Sequence, residues 1–225
     1  MTPDLENPLW ASLTTTHRSL ALGGERVLRY PADVAPFIAV ADAHPVRADE
    51  LDALLGPGES AFLLAVAPEL PQGFVLEDLG PIVQMVCEAP LGLRGGPPVV
   101  PLEEEHRPSV LGLTRMVYPH YFRPRTMELG RYFGILEAGR LSAMVGERMG
   151  FVGHREISAV CTHPEAVGRG LARQLLALLT NDLIERGEVP FLHVSPDNTR
   201  ALALYEQNGY RRRKPLPFFA LRRST

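Results

Sequence analysis

Residues 163–179 read HPEAVGRGLARQLLALL. Gly168 and Gly170 flank Arg169, and a leucine-rich run begins at once. Glycine is a poor helix former, so two of them at a helix start need a reason. The first N–H groups of a helix lack intrahelical partners, and the helix dipole adds partial positive charge there. Such an end binds anions, phosphate above all, and glycines let a phosphate reach the backbone. Arg169 adds a full charge. A P-loop would need Lys-Ser/Thr after the second glycine, where Leu171-Ala172 stands. A dinucleotide fingerprint would need a third glycine, where Arg173 stands. An isolated Gly-x-Gly serves equally well to shape a tight turn.

Working outward, REISAVCTH (155–163) reads as a strand leading into a helix from about Gly168 to Arg186, ended by Gly187. Leu171, Leu175, Leu178, Leu179 and Leu183 recur at helical spacing and form its core face. PFLHV (190–194) is a further strand, NTRALALYEQN (198–208) a helix stopped at Gly209, and 210–223 a last strand or hairpin. Strand, helix, strand and helix in succession predict an α/β layer with a parallel pair at its centre.

Upstream, RYFGILEAGRLSAMVGERMGF (131–151) reads as two strands joined at Ala138-Gly139. PLEEEHRPSVLGLTRMVYP (101–119) is helical, interrupted at Pro108 and stopped at Pro119; YFRPRTMELG (121–130) is a loop and a short second helix. The Pro- and Gly-rich APLGLRGGPPVVPL (89–102) predicts a boundary near residue 100. Before it, FIAVA (37–41) and SAFLLAVA (60–67) read as buried strands and ADELDALLG (48–56) as a short helix.

The chain has 225 residues, 45% hydrophobic and 22% charged, which is a globular composition. No apolar run reaches the ~18 residues of a membrane span, and MTPDLENPLW is not a secretory signal. Cys87 and Cys161 read as reduced thiols of a cytoplasmic protein, and the seven scattered histidines predict no metal site. The net charge of −3 divides into −8 over residues 1–100 and +5 over 101–225, so the half with the glycines is the one expected to attract an anion. The run Arg211, Arg212, Arg213, Lys214 lacks interleaved aromatics and is not read as a nucleic-acid site.

VGRGLA (167–172) resembles the acyl-CoA signature of the GCN5-related N-acetyltransferases (GNAT), Q/R-x-x-G-x-G/A. EISAVCTHPEAVGRGLARQLL with PFLHVSPDNTRALALYEQNGYR resembles the FR47-like branch, over about residues 110–223. Val167 departs from the usual Gln or Arg. The resemblance implies a GNAT acyl-CoA N-acyltransferase fold, a mixed central sheet with flanking helices, at 101–225. Residues 1–100 then form a smaller α/β region, a degenerate second GNAT-like half or a lid. It implies acetyl-CoA as cosubstrate, its pyrophosphate on the N–H groups of Val167, Gly168, Arg169, Gly170, Leu171 and Ala172. The pantetheine arm would run along Val160, Cys161 and Thr162, with Asn198 near it.

Acyl transfer to an amine needs a base for the ammonium proton and an acid for the leaving thiolate. Alternation places Glu156, Ser158, Val160 and Thr162 on one strand face. The resemblance puts the general base at Glu156, which read alone is a carboxylate at a strand start beside Arg155. It sets Tyr205, of ALYEQNGY, near the CoA sulfur as the acid; otherwise Tyr205 is a core aromatic, and Asn198 a helix cap. The loop YPHYFRPRT (118–126) is expected to line the acceptor site, with Arg123 and Arg125 available to a carboxylate and His120 and Tyr121 beside them. The expected acceptor is a small-molecule or peptide amine, attacked directly in a ternary complex, with neither nucleic acid nor membrane as partner; a homodimer is permitted. The rival readings are a non-catalytic CoA-binding regulatory module and a nucleotide-binding domain.

Overall fold

The computed structural model describes residues 3–92, 95–117 and 119–224. Helix α1 (Pro8–Thr14) precedes a small antiparallel sheet of β1 (Leu22–Gly23), β2 (Val27–Arg29) and β3 (Ile38–Val40), followed by α2 (Ala48–Asp52). The remaining strands are β4 (Ser60–Leu64), β5 (Phe74–Val86), β6 (Val100–Pro101), β7 (Tyr132–Glu137), β8 (Arg140–Phe151), β9 (His154–Thr162), β10 (Val189–Val194) and β11 (Arg211–Arg223). They form one sheet in the order β4-β11-β5-β10-β9-β8-β7-β6. Every neighbouring pair is antiparallel except β9–β10. Helices α3 (Arg107–Val117), α4 (Leu171–Glu185) and α5 (Thr199–Gln207) complete the order.

Helix α4 makes the crossover that lets β10 run parallel to β9, as a βαβ connection must. Its Leu171, Leu175, Leu176, Leu179 and Leu183 are buried against Val145 and Ile157 of the sheet and Leu202 and Tyr205 of α5. Leu176 takes the core place expected of Leu178, which is half-buried, because the apolar stripe is wider than the five-residue spacing implied. The opposite face carries α1, packed with Phe151 and Phe191, and α3, packed with Met144, Ala159 and Cys161.

Two local readings are corrected. Pro108 does not interrupt a helix: it is the second residue of α3, where the ring costs nothing because first-turn N–H groups have no partner anyway. The second helix in 121–130 is a single 3-10 turn, Thr126–Leu129. Thr126 Oγ1 donates to the Val34 carbonyl at 2.7 Å, and β7 begins three residues after the turn, so the segment is tied sideways before a helix can propagate.

Strands from both sides of residue 100 share the large sheet, β5 lying between β10 and β11. A division at residue 100 would cut that sheet. The Pro- and Gly-rich stretch is a strap clasped by α4: Asn181 bonds both the N–H and carbonyl of Leu91, and Gln174 Nε2 donates to the Pro97 carbonyl at 2.8 Å. Among the described residues no helix is long and apolar enough to cross a membrane, and no His/Cys/Asp/Glu group could hold a metal ion.

Candidate active site

β9 and β10 are paired only at Val189–His154, Pro190–Arg155 and Phe191–Glu156. Beyond Phe191 they diverge, and a cavity of about 620 Å3 opens between residues 157–162 of one strand and 193–195 of the other. A bulge accompanies the split. Pairing with β8 passes from Gly146–Ser158 to Met144–Cys161, so two residues of β9 face one of β8. Ala159 takes the left-handed backbone, φ 51°. An inserted residue reverses the alternation beyond it. Ile157 and Val160 therefore face α4, while Ala159 and Cys161 face α3. The expected common face of Glu156, Ser158, Val160 and Thr162 is not formed, because the strand is not regular there.

Val160, Cys161 and Thr162 line the cavity along the edge that β10 has left. Cys161 and Thr162 pair with β8 on their other edge. The cavity ends at the glycine loop, where Val167, Gly168, Gly170, Leu171 and Ala172 also line it. Gly168 and Gly170 have φ of 85° and 80°, and a Cβ on either would touch nothing within 4 Å. Backbone conformation therefore demands glycine here, not crowding within the protein. Gly170 caps α4, and the backbone N–H groups of Gly168 to Arg173 have no protein acceptor among the described residues. That row of donors at a helix start suits a phosphate.

The full charge comes from a different arginine than expected. Arg169 is held in two bonds by Glu137, at 2.8 and 2.5 Å, and does not line the cavity. Arg173 does line it, and its buried Nε has no protein partner. On α5, Asn198 caps the helix by accepting from the Ala201 N–H at 3.1 Å, and it also lines the cavity. Tyr205 lines it too, 8% exposed, with its ring 6.0 Å from that of Tyr210.

Glu156 lies elsewhere. Its carboxylate is fully buried and is not part of the cavity wall. Arg148 donates to it from Nε and Nη2 at 2.7 and 2.6 Å, the Met149 N–H at 3.2 Å and His193 Nδ1 at 2.8 Å. Burial alone would raise its pKa; the Arg148 charge and these hydrogen bonds outweigh burial and hold it at about 2. A carboxylate so occupied is a weak base with no lone pair to offer. His193 is the group that reaches the cavity. Gln84 fixes its tautomer: the amide oxygen accepts from Arg213 at 2.9 Å, so the amide nitrogen donates to the Leu5 carbonyl and to His193 Nε2, both at 3.1 Å. His193 thus carries its proton on Nδ1.

The cavity crosses the sheet at the split. On the α4 side stand Arg173, Arg200 and Tyr205; on the other, Ile82, Val117 and Tyr121. Tyr121 is stacked with Phe37 (6.1 Å, 11°) and meets Phe62 and Phe218 at 5.2 and 6.1 Å. Of the loop expected to line the acceptor site, only Tyr121 does so among the described residues; Tyr118 lies outside them. His120 is exposed, Arg123 is off the wall, and Arg125 is bound to Asp33 and Glu128. The residues that the sequence reading missed are Arg173, His193 and Gln84. Only Arg173 carried a signal, as a cation in the first turn of the glycine-capped helix.

A mixed sheet split at its single parallel pair, with a glycine-capped helix at the end of the split, defines an α/β fold with a cleft between two strands. The comparisons agree. The family model for FR47-like protein matches residues 132–216. A GNAT-family protein from Novosphingobium aromaticivorans is 32% identical, with 98% of this chain and 99% of that chain covered, at a TM-score of 0.86. A GCN5-related N-acetyltransferase from Kribbella flavida shares the fold at 18% identity and a TM-score of 0.59, covering 94% of this chain and 93% of its own. No curated protein matches the chain. The chain belongs to the GNAT family, and its fold is the GNAT acetyltransferase fold.

Proposed function

We propose that the protein transfers an acetyl group from acetyl-CoA to a primary amine, by direct attack with both substrates bound. The observation that carries this reading is the split between β9 and β10, which ends on the unpartnered N–H groups of Gly168 to Arg173. A pantetheine arm, with two amides, fits the free edge of Val160, Cys161 and Thr162 as an added strand would. The pyrophosphate fits the glycine loop, with the Arg173 guanidinium beside it. The donor supplies a thioester as electrophile, and the chain supplies position. Tyr205 is the acid for the departing thiolate. Cys161 is no nucleophile: its side chain packs with α3, and burial pushes its thiol up to about 12. Glu156 holds Arg148 and His193 in place rather than taking the ammonium proton, which passes to water.

A second reading, a non-catalytic CoA-binding module, is favoured by one observation, the closed carboxylate of Glu156. Thiol release from acetyl-CoA over an amine panel separates the two, since tight CoA binding with no release would leave only the module. Gly170→Asp tests the pyrophosphate assignment by placing a side chain at φ 80° and an anion beside the phosphates. The expected loss of acetyl-CoA affinity is at least about ten-fold, or ~1.4 kcal/mol. Unchanged calorimetric affinity would overturn the assignment.

A further inference from the structure

We propose that the acceptor is an arylalkylamine: one primary amine on an uncharged, apolar body about the size of an aromatic ring, seated against Tyr121. The inference rests on the acyltransferase reading and deepens it. The cavity has two sides because it passes through the sheet. The α4 side carries the glycine loop and both cavity arginines, Arg173 and Arg200, and is taken by the donor. The far side is left to the acceptor, and there the apolar wall of Ile82, Val117 and Tyr121 is joined by His193, whose ring nitrogens are already engaged by Gln84 and Glu156.

None of the described residues lining the cavity is acidic. The Glu156 carboxylate, next to His193, is buried off the wall and satisfied by Arg148 and His193. A polyamine or aminoglycoside would strip water from extra ammonium groups and find no counter-charge, which is costly. A free amino acid meets the converse problem. Arg148, the cation on this side, already holds Glu156 in two bonds, and Arg125 holds Asp33 and Glu128. An apolar body loses nothing by entering.

The wall is also built to be rigid. Tyr121 is held by Phe37 from the stretch after β2, Phe62 from β4 and Phe218 from β11. Phe37 in turn lies under the Arg148 guanidinium at 5.1 Å. Three aromatic rings from distant parts of the chain fix one ring on the wall, and a flat apolar substituent extends that stack. Val117, at the end of α3, is 42% exposed, and its neighbour Met116 is 56% exposed. The approach to the acceptor side is therefore apolar as well.

The experiment compares 2-phenylethylamine, spermidine and glycine by thiol release from acetyl-CoA. A matched apolar pocket is worth about ten-fold or more, so kcat/KM for 2-phenylethylamine is expected to exceed that for spermidine by at least this factor. Tyr121→Ala should raise the KM for 2-phenylethylamine by about ten-fold and leave the KM for acetyl-CoA unchanged. Val117→Glu, an exposed position that tolerates charge, should improve spermidine relative to 2-phenylethylamine. Preference for spermidine or glycine in the unaltered protein would overturn the inference, as would a Tyr121→Ala effect equal on all amines. Calorimetry of 2-phenylethylamine with the CoA-loaded protein keeps the two readings apart. Binding that depends on Tyr121 without any thiol release would sink the acyltransferase and leave the acceptor class standing. Thiol release with spermidine alone would do the reverse.

Discussion

Glu156 holds a charge that the protein cannot spare. Its folded pKa is lowered, so the stability it confers is complete above the ordinary carboxylate range and is lost as pH falls from there toward about 2. Glu156→Gln removes the carboxylate that Arg148 and His193 bond, and a loss of ~3–5 kcal/mol is expected from chemical denaturation. The rising limb of the pH–rate profile should stay where it is, since it follows the amine's own proton. A limb displaced by the substitution would restore Glu156 as the base. Tyr205 is the opposite case, a residue of the cavity wall. Tyr205→Phe should lower kcat by about a hundred-fold, a usual size for one general acid, with acetyl-CoA affinity nearly unchanged. Full turnover would end its assignment. At this scale the glycines were legible because a left-handed helix cap selects glycine from the sequence itself. The setting of Glu156 was not. Its partners Arg148 and His193 lie 8 and 37 residues away, and only the sheet brings them together.

Among the elements, the order of strands and helices from 131 onward was readable from periodicity and stop signals. The hairpin β7–β8, the strand into α4, and α5 ending before Gly209 all have strong local punctuation. The bulge in β9 was not readable, since Ser158 and Ala159 are ordinary strand residues and nothing local announces an insertion. Its effect is large, because it sets which side chains of β9 face the cavity. Ala159 tolerates φ 51° at a modest cost, and a β-branched residue would not. Ala159→Val is expected to lower stability by ~1–3 kcal/mol and to weaken acetyl-CoA binding with it, while Ala159→Gly should keep both. Denaturant midpoints and calorimetry read the two effects. Normal binding by a destabilised Ala159→Val protein would separate the bulge from the split.

At the level of the molecule, the composition was misleading in one respect. Several cations of the basic second half are ion-paired rather than left as a field awaiting an anion. Arg211 meets Glu88, Arg213 and Lys214 meet Glu6, Arg125 meets Asp33 and Arg223 meets Asp52. The acidic first hundred residues are thus much of the counter-charge. Exposed pairs of this kind add little stability, but they show the two halves to be electrostatic complements. The same halves are joined in the sheet and in the aromatic stack behind Tyr121. Proline and glycine density signalled a boundary because a strap and a linker have the same composition; what tells them apart is the grip of Gln174 and Asn181, far along the chain.

The place of β5 between β10 and β11 has a consequence for how the protein is made. Val86 bonds beside Phe191 and Arg211, more than a hundred residues later. A ribosome delivers β5 long before either neighbour exists, and during that interval both its edges are open. Such distant pairings are slow to form and expose sticky edges meanwhile. The sheet can close only once β11 has been made, so the burden on chaperones falls on the nascent chain between β5 and β11.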